Sequence, residues 1–249
     1  TPPHSPTLFP YTTLFRSKRF SYQYPYAYLR DLPVKVSVSE LKKRSWHGEN
    51  YREEALFSEP DIVPLVPDFV SRGNEEYKGA ARGTAYHRLM ECLDYTAVDS
   101  ESQIHKQITA LTEAKKMAYE EAQCIRIQDI MTFLHSEIGQ RMKKAFEADK
   151  LYREQPFVLA QSMKNIEKDW NGEETVLVQG IIDAYFIEDE EIVLVDYKTD
   201  RVRKGEEQHL IDLYHTQLED YAQALERMLQ KKVKETCIYS FTLGKMIPV

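Results

Sequence analysis

The stretch VLVDYKTD, residues 193–200, decides how this chain is read. With the preceding Ile192 it opens on an apolar run too continuous to leave a solvated face, the mark of a central strand. Asp196 ends the run and Lys198 follows two residues later, so in extended backbone both project from one face. Upstream, TVLVQGIIDAYFI (175–187) is a second strand, and the acidic EDEE (188–191) is a hairpin turn between the two. Pairing about that turn makes Asp183 a near neighbour of Asp196. Two carboxylates side by side repel each other, and burial raises the cost. A divalent cation relieves both problems, and hard oxygen donors with open positions favour magnesium or manganese. A lysine beside them can orient or deprotonate a water, or offset developing negative charge. Metal, poised water and fixed cation are what phosphodiester hydrolysis requires. Singly, each residue also has a plainer reading: Asp183 at a bulge, Asp196 and Lys198 as a surface pair at a strand end. The three together, at the polar ends of apolar strands, point to a catalytic site.

The periodicity around this hairpin predicts the remaining elements. A strand is expected over 152–160 (YREQPFVLA), a long helix over 207–231, and a closing strand over 234–243 (KETCIYSFTL). The first half reads as helical: 82–94, with Tyr86, Leu89, Met90 and Leu93 as its apolar stripe, then 101–122 and 126–148. Ser37 and Glu40 have capping-box spacing, which predicts the start of a short helix. Residues 18–36, rich in tyrosine and proline, read as an extended connector, and 58–80 as a loop. Helices, three strands, helix, strand is an α/β order with a helical N-terminal half.

Composition narrows the function classes. The 249 residues carry a net charge of -7, so no global basic footprint advertises nucleic acid, although charge within a cleft matters more than the sum. No apolar run approaches the roughly 18 residues of a membrane span. Cys92, Cys124 and Cys237 are far apart with no CxxC, which argues against a disulfide framework, a zinc site or an iron–sulfur cluster and for free thiols in a reducing cytoplasm. No GxxxxGK loop is present, so this stretch holds no nucleotide-driven motor. Residues 1–17 (TPPHSPTLFPYTTLFRS) read as a translated sequencing adapter, most clearly from Thr7 to Ser17. The natural chain is therefore expected to begin further upstream and, since this one stops soon after a strand-like run, to continue past Val249.

GTAYH (83–87), GIIDAY (180–185), VLVDYKTD (193–200) and QLEDY (217–221), in that order, resemble the RecB-like nuclease branch of the PD-(D/E)XK superfamily. The nearest likeness is to the carboxy-terminal nuclease domains of AddA-type helicase–nucleases, and YLRDLPVKVSVSELKKR (28–44) resembles the start of that domain. The resemblance covers nearly all of 20–249. It implies a restriction-endonuclease-like core, a mixed central sheet flanked by helices, occupying 81–249 after a connector and short helix over 18–80. It implies metal ligation by His87, Asp183, Asp196 and the Tyr197 carbonyl, with Lys198 as the catalytic lysine. Without it, His87 reads as a helical polar residue. Gln217 and Tyr221 match the family's helix motif and, at i and i+4, share a helix face; they contact Lys198 or DNA phosphate, or form an ordinary helix face with a core tyrosine. Glu154 falls where the family often has an acid, as a partner to the ligands or a solvated acid on an edge strand. Arg201, with Arg203 and Lys204, grips DNA phosphates or lies in a solvated loop. Asp200 orients Lys198 or caps a turn. The implied function is magnesium-dependent exonucleolytic cleavage of single-stranded DNA in double-strand break repair and recombination, in the cytoplasm, with motor domains in the same natural chain and an AddB-like partner. The absence of cluster-binding cysteines favours the AddA type. An inactive DNA-binding or docking module of the same fold, or a free-standing exonuclease, are the alternatives.

Overall fold

The computed structural model describes residues 29–30, 32–41, 75–166, 170 and 172–249. The expected adapter-derived segment, residues 18–28 of the connector and the loop over 58–74 lie outside them. The sheet and the helices named below belong to the compact unit Lys35–Val249.

Among the described residues the sheet has six strands: β1 (Lys35–Ser37), β2 (Leu151–Ser162), β3 (Thr175–Glu188), β4 (Glu191–Lys198), β5 (Val233–Ser240) and β6 (Lys245–Pro248). β3 is its spine. Along one edge it is antiparallel to β2, from Leu151 opposite Phe186 to Ser162 opposite Thr175. A strand has only two edges, so β1 and β4 share the other. β1 runs parallel to Leu177–Gln179, and β4 runs antiparallel to Ala184–Glu188, closing a hairpin with Glu188 opposite Glu191. Between them lies a window, 180–183, against which no described strand pairs on that edge. β4 and β5 are parallel, which demands a crossover. The helix α7 (Glu207–Leu229) provides it.

The earlier helices are α1 (Glu75–Cys92), α2 (Glu101–Glu113), α3 (Tyr119–Ala122), α4 (Ile127–His135) and α5 (Glu137–Glu147), with the single turn α6 (Met163–Ile166) after β2. Leu89, Met90, Ile104, Ile130, Phe133, Ile138 and Met142 from these helices share one core with Ala184, Phe186, Val193, Val195, Tyr197, Tyr239 and Phe241. Phe133 is its hub, edge-on to Tyr239 at 4.7 Å and to Tyr197 at 5.9 Å between ring centroids. Strand alternation sends Leu194, Asp196 and Lys198 to the opposite face of β4. There α7 contributes buried Leu210, Tyr214, Leu218 and Tyr221. Both faces of β4 are thus covered, as its unbroken apolar run requires.

Several boundaries differ from expectation for local reasons. The helices expected over 101–122 and 126–148 are each split. Lys115, at φ +55°, takes the left-handed conformation that stops α2. Ser136 stops α4 and caps α5: its Oγ donates to the Phe133 carbonyl at 2.6 Å and accepts from the Gly139 N–H at 3.2 Å. A Cβ on Gly139 would lie 2.1 Å from the Phe133 carbonyl oxygen, so glycine is what lets the two helices meet so closely. α1 starts at Glu75 inside the expected loop, and β1 begins inside the expected connector. The last strand ends at Ser240 and turns through Gly244, φ +64°, into the unexpected β6. The Ser37–Glu40 box is present, with Glu40 N–H donating to Ser37 Oγ at 3.1 Å and Ser37 N–H to Glu40 Oε2 at 2.6 Å, opening a helical turn over 38–41.

Arg141 on α5 ties the helical half to the far end of the sheet. Its Nε and Nη2 donate to the two Glu188 oxygens at 3.1 and 2.8 Å, and Nη2 also to Glu235 at 2.7 Å. The Arg141 hydrogen bonds hold the Glu188 carboxyl down at about 2, with Lys234 helping and partial burial opposing. A depressed carboxylate supplies stability above its unfolded value of 4.5, and that stability is lost as pH falls toward 2. Arg141→Ala is therefore expected to cost about 1–2 kcal/mol at pH 7 and clearly less near pH 2.5. Denaturant unfolding at the two pH values checks this; an equal loss at both would show that the arginine acts through packing alone.

Candidate active site

The β3–β4 ladder stops at Ala184 opposite Val195, one pair short of Asp183 opposite Asp196. Beyond it a side chain takes over from backbone: Asp183 Oδ2 accepts the Tyr197 N–H at 2.8 Å. The N–H and C=O of one strand residue point to the same edge, so the Tyr197 carbonyl faces the same window as Asp183. A matching irregularity lies across β3. Arg153 pairs with Ala184 and Gln155 with Ile182, but the intervening Glu154–Asp183 pair is skipped, and Glu154 has φ +47°. Left-handed backbone is strained for a non-glycine in mid-strand and collects at functional sites. The Glu154 carboxylate lies 3.8 Å from His87 Nδ1, and Asp183 Oδ1 lies 3.4 Å from the same nitrogen. His87, Glu154 and Asp183 each offer a ligand atom within 4.8 Å of the others.

The second cluster adjoins the first through the Tyr197 amide. Lys198 Nζ lies 2.5 Å from Asp196 Oδ2, a carboxylate only 1% exposed. Gln217 Nε2 donates to the Tyr221 hydroxyl at 3.0 Å and lies 3.4 Å from Asp196 Oδ1. The Lys198 ammonium sits 4.3 Å from the centre of the Tyr214 ring, and the Tyr214 hydroxyl is 3.1 Å from both Asp200 oxygens.

The surroundings hold these groups in place. His87 stands on α1 next to Tyr86, whose hydroxyl donates to Asp129 Oδ2 at 2.6 Å and accepts from the Arg126 N–H at 3.1 Å. Arg82, one turn earlier, donates to the same Asp129 oxygen at 3.1 Å, so α1 is fastened to the start of α4. Arg153 donates to the Leu93 carbonyl at 2.6 Å, joining the end of α1 to β2 just before Glu154. Under α7, Phe157 meets Tyr221 edge-on at 5.6 Å. A Cβ on Gly180 would lie 2.7 Å from the Phe157 ring and 3.2 Å from that of Tyr221.

The charges are interdependent. Burial works against a charged His87, but the Asp183 carboxylate and the hydrogen-bonding acids Asp183 and Glu154 prevail and raise it to about 10. Burial likewise opposes ionised Asp183, and the His87 and Lys198 charges outweigh it, leaving the carboxyl below its ordinary value. Burial opposes the Lys198 charge too, and Asp196 and Asp183 restore it, net upward. Asp196 is the contested group: burial and the neighbouring Asp183 charge push it up while Lys198 holds it down, and the net is upward. This donor set suits a hard divalent cation, which would take over the charge balance that a proton and an ammonium now keep.

The residues singled out from sequence fall into place unevenly. His87, Asp183 and Glu154 converge, and Glu154 is half-buried against His87 rather than a solvated edge acid. Asp196, Lys198, Gln217 and Tyr221 converge, with Gln217 directed to Asp196 instead of Lys198. Arg201 is exposed in the connection from β4 to α7. Tyr214 is the neighbour of the site that the motifs do not contain; its spacing of three and seven from Gln217 and Tyr221 puts it on their helix face and is the signal that could have found it.

A mixed sheet whose central hairpin ends in two acids and a lysine, with a histidine turned toward the acids, is a nuclease core. Residues 66–246 match the PD-(D/E)XK nuclease superfamily, and the chain belongs to it. Among similar proteins is an ATP-dependent helicase/nuclease subunit of Alkaliphilus metalliredigens, 39% identical over 229 residues, covering 91% of this chain and 18% of that protein. The same-named protein of Acetivibrio thermocellus is 36% identical over 241 residues (93% and 18%), and that of Clostridium perfringens strain SM101 33% over 244 residues (93% and 19%). The chain thus spans about a fifth of the length of these curated relatives.

Two glycines in the matching motifs separate cleanly. Gly180→Ala forces Phe157 and Tyr221 apart and is expected to destabilise by about 1–3 kcal/mol. A Cβ on Gly83 would meet only Thr199 Oγ1, at 3.5 Å, so Gly83→Ala in mid-helix is expected to be neutral or stabilising by up to about 1 kcal/mol. Denaturant midpoints of the two variants test the assignment, and the reverse order would refute it.

Proposed function

We propose that this chain is the metal-dependent nuclease module of a helicase–nuclease and cleaves single-stranded DNA exonucleolytically during double-strand break repair and recombination. The observation that carries the reading is the convergence of His87, Glu154 and Asp183 with the Asp196–Lys198 pair where the β3–β4 ladder ends. The name of the relatives, which joins helicase and nuclease in one subunit, supports the wider setting: motor domains in the same natural chain and a second subunit of the AddB type. The cytoplasm is where such a module would meet its DNA. Among the described residues, no helix is long and apolar enough to cross a membrane.

Under this reading His87, Asp183, Asp196 and the Tyr197 carbonyl hold magnesium, or manganese in its place, with Glu154 supporting His87. The bound cation would supply Lewis acidity toward the phosphate and lower the pKa of the attacking water. In hydrolysis the water oxygen bonds to phosphorus and gives up a proton to bulk water, the bond to the leaving sugar oxygen breaks, and that oxygen takes up a proton from bulk water. Lys198, held beside Asp196, would offset charge on the phosphoryl oxygens. Gln217 holds Asp196 in place, and Tyr221 holds Gln217. Arg201, exposed in the connection from β4 to α7, would meet a phosphate along the strand.

The test uses end-labelled single-stranded DNA with magnesium, manganese or chelator. Cleavage is expected with either metal and none with chelator. Asp196→Ala is expected to lower the rate at least about a thousandfold, and Lys198→Ala by about a hundredfold or more, each variant still folded though less stable. Metal-dependent cleavage that survives Asp196→Ala would place the chemistry elsewhere.

A further inference from the structure

The Lys198 side chain is long and has four rotatable bonds, so its ammonium is only as well placed as its neighbours make it. One neighbour is Asp196, 2.5 Å away. That carboxylate is shared, because Gln217 approaches its other oxygen. A divalent cation would make a further claim on it. The ammonium also meets the face of Tyr214, 4.3 Å from the ring centre, a distance at which a desolvated cation–π contact is strong. Lys198 is itself only 12% exposed, so the contact is shielded from water. Tyr214 does not rotate freely beneath it: its hydroxyl is bound at 3.1 Å to both oxygens of Asp200, two residues beyond Lys198 on the same chain segment. The lysine, the ring and the carboxylate therefore close a loop between the end of β4 and α7.

We propose that Tyr214 is a positioning residue for Lys198, and that Asp200 is the anchor fixing the Tyr214 ring. The ring supplies a surface for the ammonium that does not compete with Asp196, so the lysine keeps its position when Asp196 is engaged by a cation. The inference rests on the nuclease reading above and adds to it a group that acts through Lys198.

The experiment compares Tyr214→Phe, Asp200→Asn, their double variant and Tyr214→Leu with the unaltered 249-residue chain. Three quantities are measured: kcat and KM on labelled single-stranded DNA, calorimetric manganese affinity, and the 15N-ammonium resonance of Lys198. Tyr214→Phe and Asp200→Asn are expected to lower kcat about 3- to 10-fold each, and the double variant no further, because both cut one link. Tyr214→Leu, which also removes the ring, is expected to lower kcat about 10- to 30-fold. KM and manganese affinity are expected to stay within about twofold in all four. The Lys198 resonance is expected to be resolved in the unaltered chain, to broaden or vanish in Tyr214→Leu and to persist in Tyr214→Phe. An unchanged resonance in Tyr214→Leu would overturn the proposal, as would a parallel fall in kcat, manganese affinity and thermal stability, which a merely structural tyrosine would give. Failure of the nuclease reading itself looks different: the unaltered chain and Lys198→Ala would then release label equally. The resonance decides the positioning role in that case too.

Discussion

The site is organised by a hydrogen bond from the Tyr197 amide to the Asp183 carboxylate, at 2.8 Å. It stands where the next rung of a backbone ladder would have been. A ladder carried on to Ile182 opposite Tyr197 would have saturated the Tyr197 amide and carbonyl with the β3 backbone, closing the edge. Replacing the rung with a side chain leaves the carbonyl facing the window and fixes a carboxylate there at the same time. The cost is a buried negative charge beside Asp196, and the surrounding groups make sense as its compensation: His87 on one side, Lys198 on the other. Removing a single member would leave an unbalanced buried charge, which is more destabilising than losing the whole set.

The fold around that bond separates rigidity from chemistry. The aromatic cluster of Phe133, Tyr197, Tyr239 and Phe241 packs against one side of β4. The same strand presents Asp196 and Lys198 from its other side, under α7. Tyr197 belongs to both systems: its ring is core and its backbone lines the window. α7 too has a double part, since the crossover that parallel strands oblige the chain to make also brings Tyr214, Gln217 and Tyr221 over the catalytic strand.

Much of this was legible in the sequence, for identifiable reasons. β4 announced itself because a strand covered on both faces must be apolar throughout, and the Asp183–Asp196 neighbourhood followed from the hairpin turn alone. The strand-to-helix order was readable from period. The breaks at Lys115 and Ser136 were not, because the apolar stripe continues across them and only the backbone conformation changes. Ser136 and Gly139 carried a signal, a capping serine followed three residues later by a glycine, which a reading of hydrophobic period passes over. β1 is three residues long, too short for alternation to register. Glu154 was legible as a candidate only by likeness to a family. Its left-handed backbone depends on what lies across the sheet, which no local rule contains.

β1 bears on where the protein can be cut. Its three residues cover Leu177–Gln179, on the edge of β3 that β4 does not reach. Without them that edge would present bare amides and carbonyls next to Leu177 and Val158, which are already 40% and 57% exposed. An open, apolar strand edge is a template for pairing with another chain. A fragment trimmed to residue 66, where the superfamily match begins, would keep every group of the site and yet expose such a template. A fragment that begins ahead of Lys35 keeps β1 on that edge, whereas the superfamily match over 66–246 leaves it out.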